Sequence, residues 1–413
     1  MRMIKYEGLE LVSGGVCAPK GFKAAGVHCG IRKNRAKKDL AMICSDQLCD
    51  AAAVYTQNLV KGAPILVTQQ NLKNGKAQAV IVNSGNANTC NADGEAKAAA
   101  MCEIAGKALN LPEEDVIVAS TGVIGQVLEL EPIVSHAEEL AKALSYEGGH
   151  DAANAILTTD TCEKEVAVRF ELAGKTCTIA GMAKGSGMIH PNMATMLCFM
   201  TTDAAIDHEV LQKALSTVVN DTFNMVSVDG DTSTNDMASI MANGMAGNPL
   251  IDSVESEEYE LFREALFAVL MNLSRMIAGD GEGATKLLEC VVTGAVDTQN
   301  AKIIAKSVIT SNLFKCAMFG EDANWGRILC AIGYSKADLD IHKVEVILSS
   351  EAGSLQVCKN GAGVAFSEEK AAEILKEEEI KIIVNLGDGN GKAVAWGCDL
   401  TYNYVKINGD YRT

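Results

Sequence analysis

Residues 181–203 read Gly-Met-Ala-Lys-Gly-Ser-Gly-Met-Ile-His-Pro-Asn-Met-Ala-Thr-Met-Leu-Cys-Phe-Met-Thr-Thr-Asp, a glycine-rich loop and a proline set directly before an apolar run. Gly185 and Gly187 can take dihedrals that other residues avoid. Pro191 fixes its own φ and restricts His190, so the segment predicts a turn entering a strand over residues 195–200. Thr195 stands at that junction. A threonine opening a strand is ordinarily a β-former, yet a strained turn there can also present its hydroxyl as a nucleophile. The local pattern leaves both readings open.

Elsewhere, apolar runs at 40–44, 51–56 and 78–83 are closed by polar residues or glycine and predict buried strands. Helices are expected over 94–109, 133–144, 208–220 and 257–277, the last two from apolar residues at helical spacing. Residues 83–88, Asn-Ser-Gly-Asn-Ala-Asn, predict a loop near a site, because short side chains there can bond their own backbone. A strand over 116–119 ends in Ser120-Thr121-Gly122, where a small hydroxyl residue followed by glycine lets hydrogen-bond donors approach a bound carbonyl. A plain strand-to-helix turn is the alternative. Strands at 165–171 and 175–181 lead into the Lys184 loop. Beyond residue 286, helices near 300–311 and 368–377 alternate with strands at 344–348, 355–357, 381–385 and 393–400. The expectation is an α/β (α+β) protein with sheets covered by helices: a main domain over 1–286 and a smaller C-terminal α+β domain over 287–413.

A formal charge of −17 disfavours nucleic acid and anionic membranes, both of which reward a basic surface. A small-molecule partner fits better. The fourteen cysteines are scattered through apolar contexts such as Leu197-Cys198-Phe199 and Leu329-Cys330-Ala331, so they are expected to be reduced core residues of a cytoplasmic protein. The N-terminus lacks a signal-like apolar core, and no apolar run approaches membrane-spanning length. Gly387-Asp-Gly-Asn-Gly-Lys392 is too short for a phosphate loop and is followed by Ala393 rather than Ser or Thr. Asp229-Gly-Asp-Thr-Ser233 misplaces its glycine for calcium, and Ile240 stands where a glutamate is needed. No zinc spacing occurs, so no metal is expected.

The run Lys184-Gly-Ser-Gly-Met-Ile-His-Pro-Asn-Met-Ala-Thr195-Met-Leu resembles the self-cleavage signature of the ornithine acetyltransferases, or glutamate N-acetyltransferases, of arginine biosynthesis. The similarity continues through Ser120–Gly125, Thr158–Thr161, Ser227–Asp236, Gly279–Lys286, Asn324–Arg327 and the C-terminal tail, and so covers essentially the whole chain. It implies self-cleavage between Ala194 and Thr195 into an alpha fragment, 1–194, and a beta fragment from 195, assembled as a heterotetramer of two of each. Thr195 then carries the acetyl group from N2-acetylornithine to glutamate. Thr121 and Gly122 match the oxyanion-hole positions; Thr161, Lys184, Thr195, Glu282, Asn408 and Thr413 match substrate-binding positions. No bound cofactor is implied, and acetyl-CoA is left open as a co-substrate. A self-processed N-terminal-nucleophile aminopeptidase or amidase, in which water removes the acyl group, is the alternative.

Overall fold

A computed structural model describes residues 2–190 and 196–410. Its strands are β1 (Glu10–Val12), β2 (Phe22–Val27), β3 (Leu40–Tyr55), β4 (Lys76–Asn86), β5 (Val116–Val123), β6 (Lys164–Leu172), β7 (Lys175–Lys184) and β8 (Leu197–Thr202). There follow β9 (Val226–Ser227), β10 (Met237–Ala242), β11 (Leu287–Ala295), β12 (Glu345–Ser350), β13 (Gly353–Lys359), β14 (Ala362–Gly363), β15 (Glu379–Asn385) and β16 (Gly391–Cys398). The helices are α1 (Ala63–Asn71), α2 (Gly94–Leu109), α3 (Glu131–Ala143), α4 (Gly149–Ala155), α5 (His208–Val219) and α6 (Glu257–Gly279). The last five are α7 (Thr298–Thr310), α8 (Asn312–Phe319), α9 (Trp325–Gly333), α10 (Glu368–Leu375) and α11 (Tyr402–Gly409).

Among the described residues the strands form two mixed sheets. The first runs β1-β6-β7-β8-β10-β3-β4-β5, with β2 also on β3; the second runs β14-β13-β12-β15-β11-β16-β9. The fold is thus the mixed α/β class expected, and every strand of the second sheet but β9 follows residue 286. α6 lies between the sheets, packed on β6 and β7 of one and on β11 and β16 of the other. Its Phe262, Leu266, Val269, Leu273 and Ile277 are buried, and its Arg275, also buried, pairs with Glu289 and Glu379 of the second sheet. A helix covered on both sides carries apolar residues around most of its circumference rather than on one stripe.

Three expectations need correction. The runs at 40–44 and 51–56 belong to one strand, β3, whose pairing to β4 shifts register between Cys44 and Cys49. Polar Ser45, Asp46 and Gln47 sit at that irregularity, where β3 leaves its pairing to β4 although Ser45 stays opposite Phe22 of β2. The 83–88 loop is instead largely strand, because β4 continues to Asn86 with Ser84 opposite Thr121 and Gly85 opposite Gly122. Buried Asn83 explains how: it accepts from Ser120 Oγ at 2.6 Å and donates to the Asn86 carbonyl at 2.9 Å, so its polar side chain is satisfied inside the sheet. Finally, all fourteen cysteines are free, but Cys90, Cys162, Cys316 and Cys330 are exposed rather than core.

Candidate active site

β5 ends at one edge of a cavity of about 320 Å³, and β7, β8 and β10 bring their ends to the same place. Thr121 and Gly122 from β5, Lys184 from β7, Glu282 from the turn after α6 and Asn408 from α11 all line it. Met188 and Ile189 line it before the junction, and Met196 and Leu197 after it. Ala194, Thr195 and Thr413 lie outside the described residues. Thr161 is not in this wall. Its N–H and hydroxyl donate to Asp280, and it lines a neighbouring cavity, while Thr158 and Thr159 of the same cluster reach the first one.

Gly122 has φ +135°, and a Cβ there would meet the Gly85 carbonyl carbon at 2.3 Å and the Asn86 nitrogen at 2.5 Å. Only glycine fits both the backbone conformation and that close approach. Asn235 joins β5 to the loop before β10: its amide donates to the carbonyls of Ala87 at 2.6 Å and Ser120 at 3.0 Å, and its oxygen accepts from Thr89 at 2.6 Å. Sequence reasoning assigned Asn235 no part; nothing local marks an asparagine whose partners lie more than a hundred positions away.

Lys184 is 7% exposed, with Nζ 4.0 Å from Asp160 Oδ2, an ion pair rather than a hydrogen bond. Burial pushes its ammonium below the usual lysine value, and the Asp160 carboxylate opposes that shift. Asp160 is itself buried and receives Lys164 Nζ at 2.7 Å, Gly185 N at 2.7 Å and Thr158 N at 3.0 Å. Burial alone would raise its pKa; Lys184, Lys164 and the Gly185 N–H outweigh it and hold the carboxyl well below the usual range. Lys164 also reaches Asp280 at 2.5 Å, so two lysines and two aspartates back this side of the cavity.

Asp160→Ala leaves two buried ammonium groups without their shared carboxylate, so it is expected to destabilise the protein by about 3–5 kcal/mol. Urea unfolding of the variant against the parent measures this. Because the folded-state pKa of Asp160 is depressed, its contribution is complete above the unfolded value of about 3.9 and is lost as pH falls through the folded value. The gap between parent and variant should therefore be full at pH 5–7 and narrow below about pH 4.

In the same cavity, Glu282 accepts from Asn408 Nδ2 at 2.7 Å, and its own N–H donates to Ser186 O at 2.9 Å. A Cβ on Gly187 would meet the Glu282 carboxyl carbon at 2.1 Å, so the glycine makes room for the acid. The loop leading to the junction is held in a costly shape. Met188 has φ +58°, a left-handed conformation that side chains disfavour. Both oxygens of Asp229 grip it, one accepting from Met188 N at 2.7 Å and the other from Ile189 N at 2.9 Å. The acidic run that fails as a calcium loop thus supplies a clamp. Among the described residues no group of three or more His, Cys, Asp or Glu is placed to hold a metal. None of the described helices is long and apolar enough to cross a membrane.

The ArgJ family model matches residues 23–413. The arginine biosynthesis bifunctional protein ArgJ of Caldanaerobacter subterraneus subsp. tengcongensis is 52% identical over 406 residues, 98% of this chain and 100% of that protein. Its namesake from Bacillus subtilis is 48% identical over 415 residues, covering all of both chains. A solved ornithine acetyltransferase from Mycobacterium tuberculosis, complexed with ornithine, is 37% identical, covers 45% of this chain and 100% of its own, and superposes with a TM-score of 0.42. With the family pattern matched over nearly its whole length, this chain belongs to the ArgJ family, the acyltransferases of arginine biosynthesis.

Proposed function

We propose that this protein moves an acetyl group from N2-acetylornithine to glutamate by way of an ester on Thr195, after the chain cuts itself between Ala194 and Thr195. The observation that carries the reading is the convergence of Thr121, Gly122, Lys184, Glu282 and Asn408 on one cavity whose wall includes Met196. Thr195 is the residue immediately before Met196 in the sequence.

In the cut, the Thr195 hydroxyl attacks the Ala194 carbonyl, the peptide nitrogen leaves as an amine, and water hydrolyses the resulting ester. The clamped, left-handed Met188 supports this step, since strain held by surrounding structure is a feature of such sites. The freed α-amine has a reference pKa of about 7.7–8.0 and can serve as the base for its own hydroxyl. Attack of Thr195 Oγ on the acetyl carbonyl then gives a tetrahedral oxyanion facing Thr121 and Gly122. Its collapse expels ornithine, whose amine regains the proton from the Thr195 ammonium. Glutamate's amine attacks the acetyl ester in the reverse sense and leaves as N-acetylglutamate. Lys184 pairs with a substrate carboxylate, and Glu282, oriented by Asn408, receives an ammonium group.

Acetyl-CoA is proposed as a second donor to glutamate, which the relatives' description as bifunctional supports. The fragments are proposed to assemble as a heterotetramer of two alpha and two beta. Residues 1–286 and 287–413 are proposed as a main and a smaller domain sharing the α6 core.

N2-acetylornithine alone is expected to leave an acetyl group on the 195–413 fragment, because the first half-reaction needs no acceptor. Intact-mass analysis should show two fragments of about 20 and 23 kDa, by proportion of the 43.6 kDa chain, the larger carrying the added acetyl mass until glutamate removes it. Intersecting initial-rate plots with no trapped adduct would overturn the covalent step. Release of free acetate without glutamate would favour the amidase reading.

A further inference from the structure

Four buried side-chain atoms among the described residues have no hydrogen-bond partner: Asn88 Oδ1, Ser274 Oγ, Arg275 Nε and Asp236 Oδ2. Of these four residues, only Asp236 lines the cavity. A buried polar atom without a partner is rare enough to need a reason, and an unfilled ligand site is one. The backbone around Asp236 is fixed. Its carbonyl accepts from Thr56 N at 3.0 Å, the next residue, Met237, donates to Met196 O at 3.0 Å, and the preceding Asn235 is pinned as described above. The residue is 2% exposed, and one oxygen of its carboxyl is unused.

The exchange proposed above, on which this inference rests, sets a problem for the cavity. Ornithine carries a cationic side chain and glutamate an anionic one, yet both use the same acetylated residue. A fixed charge that welcomes one repels the other. We propose that Asp236 contacts the substrate side chain, and that its exchangeable proton lets one cavity hold an ammonium in one half-reaction and a carboxylate in the other. With ornithine or N2-acetylornithine, Asp236 gives its proton to solvent and accepts an N–H from the ammonium. With glutamate it keeps the proton and donates its O–H to the carboxylate. Either way the proton count balances.

The surroundings act on that proton in both directions. Burial raises the Asp236 pKa well above the usual carboxylate range, while the Ser233 side chain and the Lys184 ammonium act in the opposite direction. Glu282 faces the same cavity and Asp160 lies behind Lys184, so an arriving cation or anion changes the balance directly.

Asp236→Asn cannot ionise but keeps the size and one donor. In the purified variant, the ratio of kcat/KM for glutamate to that for ornithine as acetyl acceptor is expected to rise about tenfold or more, the worth of a lost charged hydrogen bond. Calorimetric titration of the parent enzyme in buffers of differing ionisation enthalpy should show about one more proton released per ornithine bound than per glutamate. The titration uses unaltered protein, so it decides the matter even if the variant does not fold or cut. An unchanged ratio in active variant, or equal proton release for the two amino acids, overturns the assignment. If the parent protein exchanges acetyl groups with neither amino acid, the proposed function itself fails.

Discussion

Thr195→Ala is expected to purify as one uncut chain of 43.6 kDa with no measurable acetyl transfer, a loss on the order of 10⁴-fold or more. On the proposed mechanism the substitution removes the attacking oxygen and, with it, the route to a free α-amine, so nucleophile and base disappear together. Thr195→Ser keeps an oxygen and should cut slowly, which separates the chemical demand for a hydroxyl from any packing role of the threonine methyl. Denaturing electrophoresis and a glutamate acetylation assay on the same preparations give both readouts. Full transferase activity in uncut Thr195→Ala protein would falsify the nucleophile assignment.

Gly122→Ala is expected to lower acetyl transfer by about 100- to 1,000-fold, the cost typical of losing one oxyanion donor. The added methyl cannot be accommodated by a rotamer change, since the atoms it meets, the Gly85 carbonyl carbon and the Asn86 nitrogen, are backbone of the neighbouring strand. β4 and β5 must part where they meet the cavity, which would displace the proposed Thr121–Gly122 donors from the reacting carbonyl. A positive φ adds strain for any residue with a Cβ. The signature is a fall in kcat and kcat/KM together, because the lost contact forms only in the transition state. Unchanged kcat in the variant would show that the donors lie elsewhere.

The long, periodic and strongly apolar elements were legible from the chain alone. α5 and α6 appear within two residues of the expected bounds, since each carries an apolar pattern long enough to have a period. α8 and α9, of eight and nine residues, offer too few turns for that. α11 has no buried residue and therefore no stripe at all, although it delivers Asn408 to the cavity. The strand expected over 195–200 starts in the described residues at Leu197 and runs on to Thr202, because hydrogen bonding to β7 and β10, not local apolarity, decides where it stops.

For the site, Thr121, Gly122, Lys184, Glu282 and Asn408 were named through motif resemblance, and they meet around one cavity. Asp160, Asn235 and Asp236 lie inside the resembling motifs but carried no assigned role, and Asp229 was weighed only as part of a calcium loop. Their roles depend on what the fold brings to them: Asp229 on backbone forty residues earlier, Asn235 on β5, Asp160 on Gly185 and Lys184 besides its near neighbours, and Asp236 on an oxygen left without a partner. No spacing rule marks such residues, since the fold and not the local chain supplies their meaning.

The strand order of the first sheet bears on the history of the molecule. β8 and β10, both after residue 195, lie between β7 and β3, both before it. While the chain is whole, its tether keeps the two halves at a high effective concentration, and folding is a unimolecular event. On the proposed cut, the halves remain interleaved but lose the tether, so any later unfolding releases two pieces that must find each other again by diffusion. Maturation of this kind makes folding a one-time event: the active protein inherits an arrangement whose assembly instructions the cut has removed, and its lifetime depends on how slowly the sheet opens rather than on how readily it re-forms.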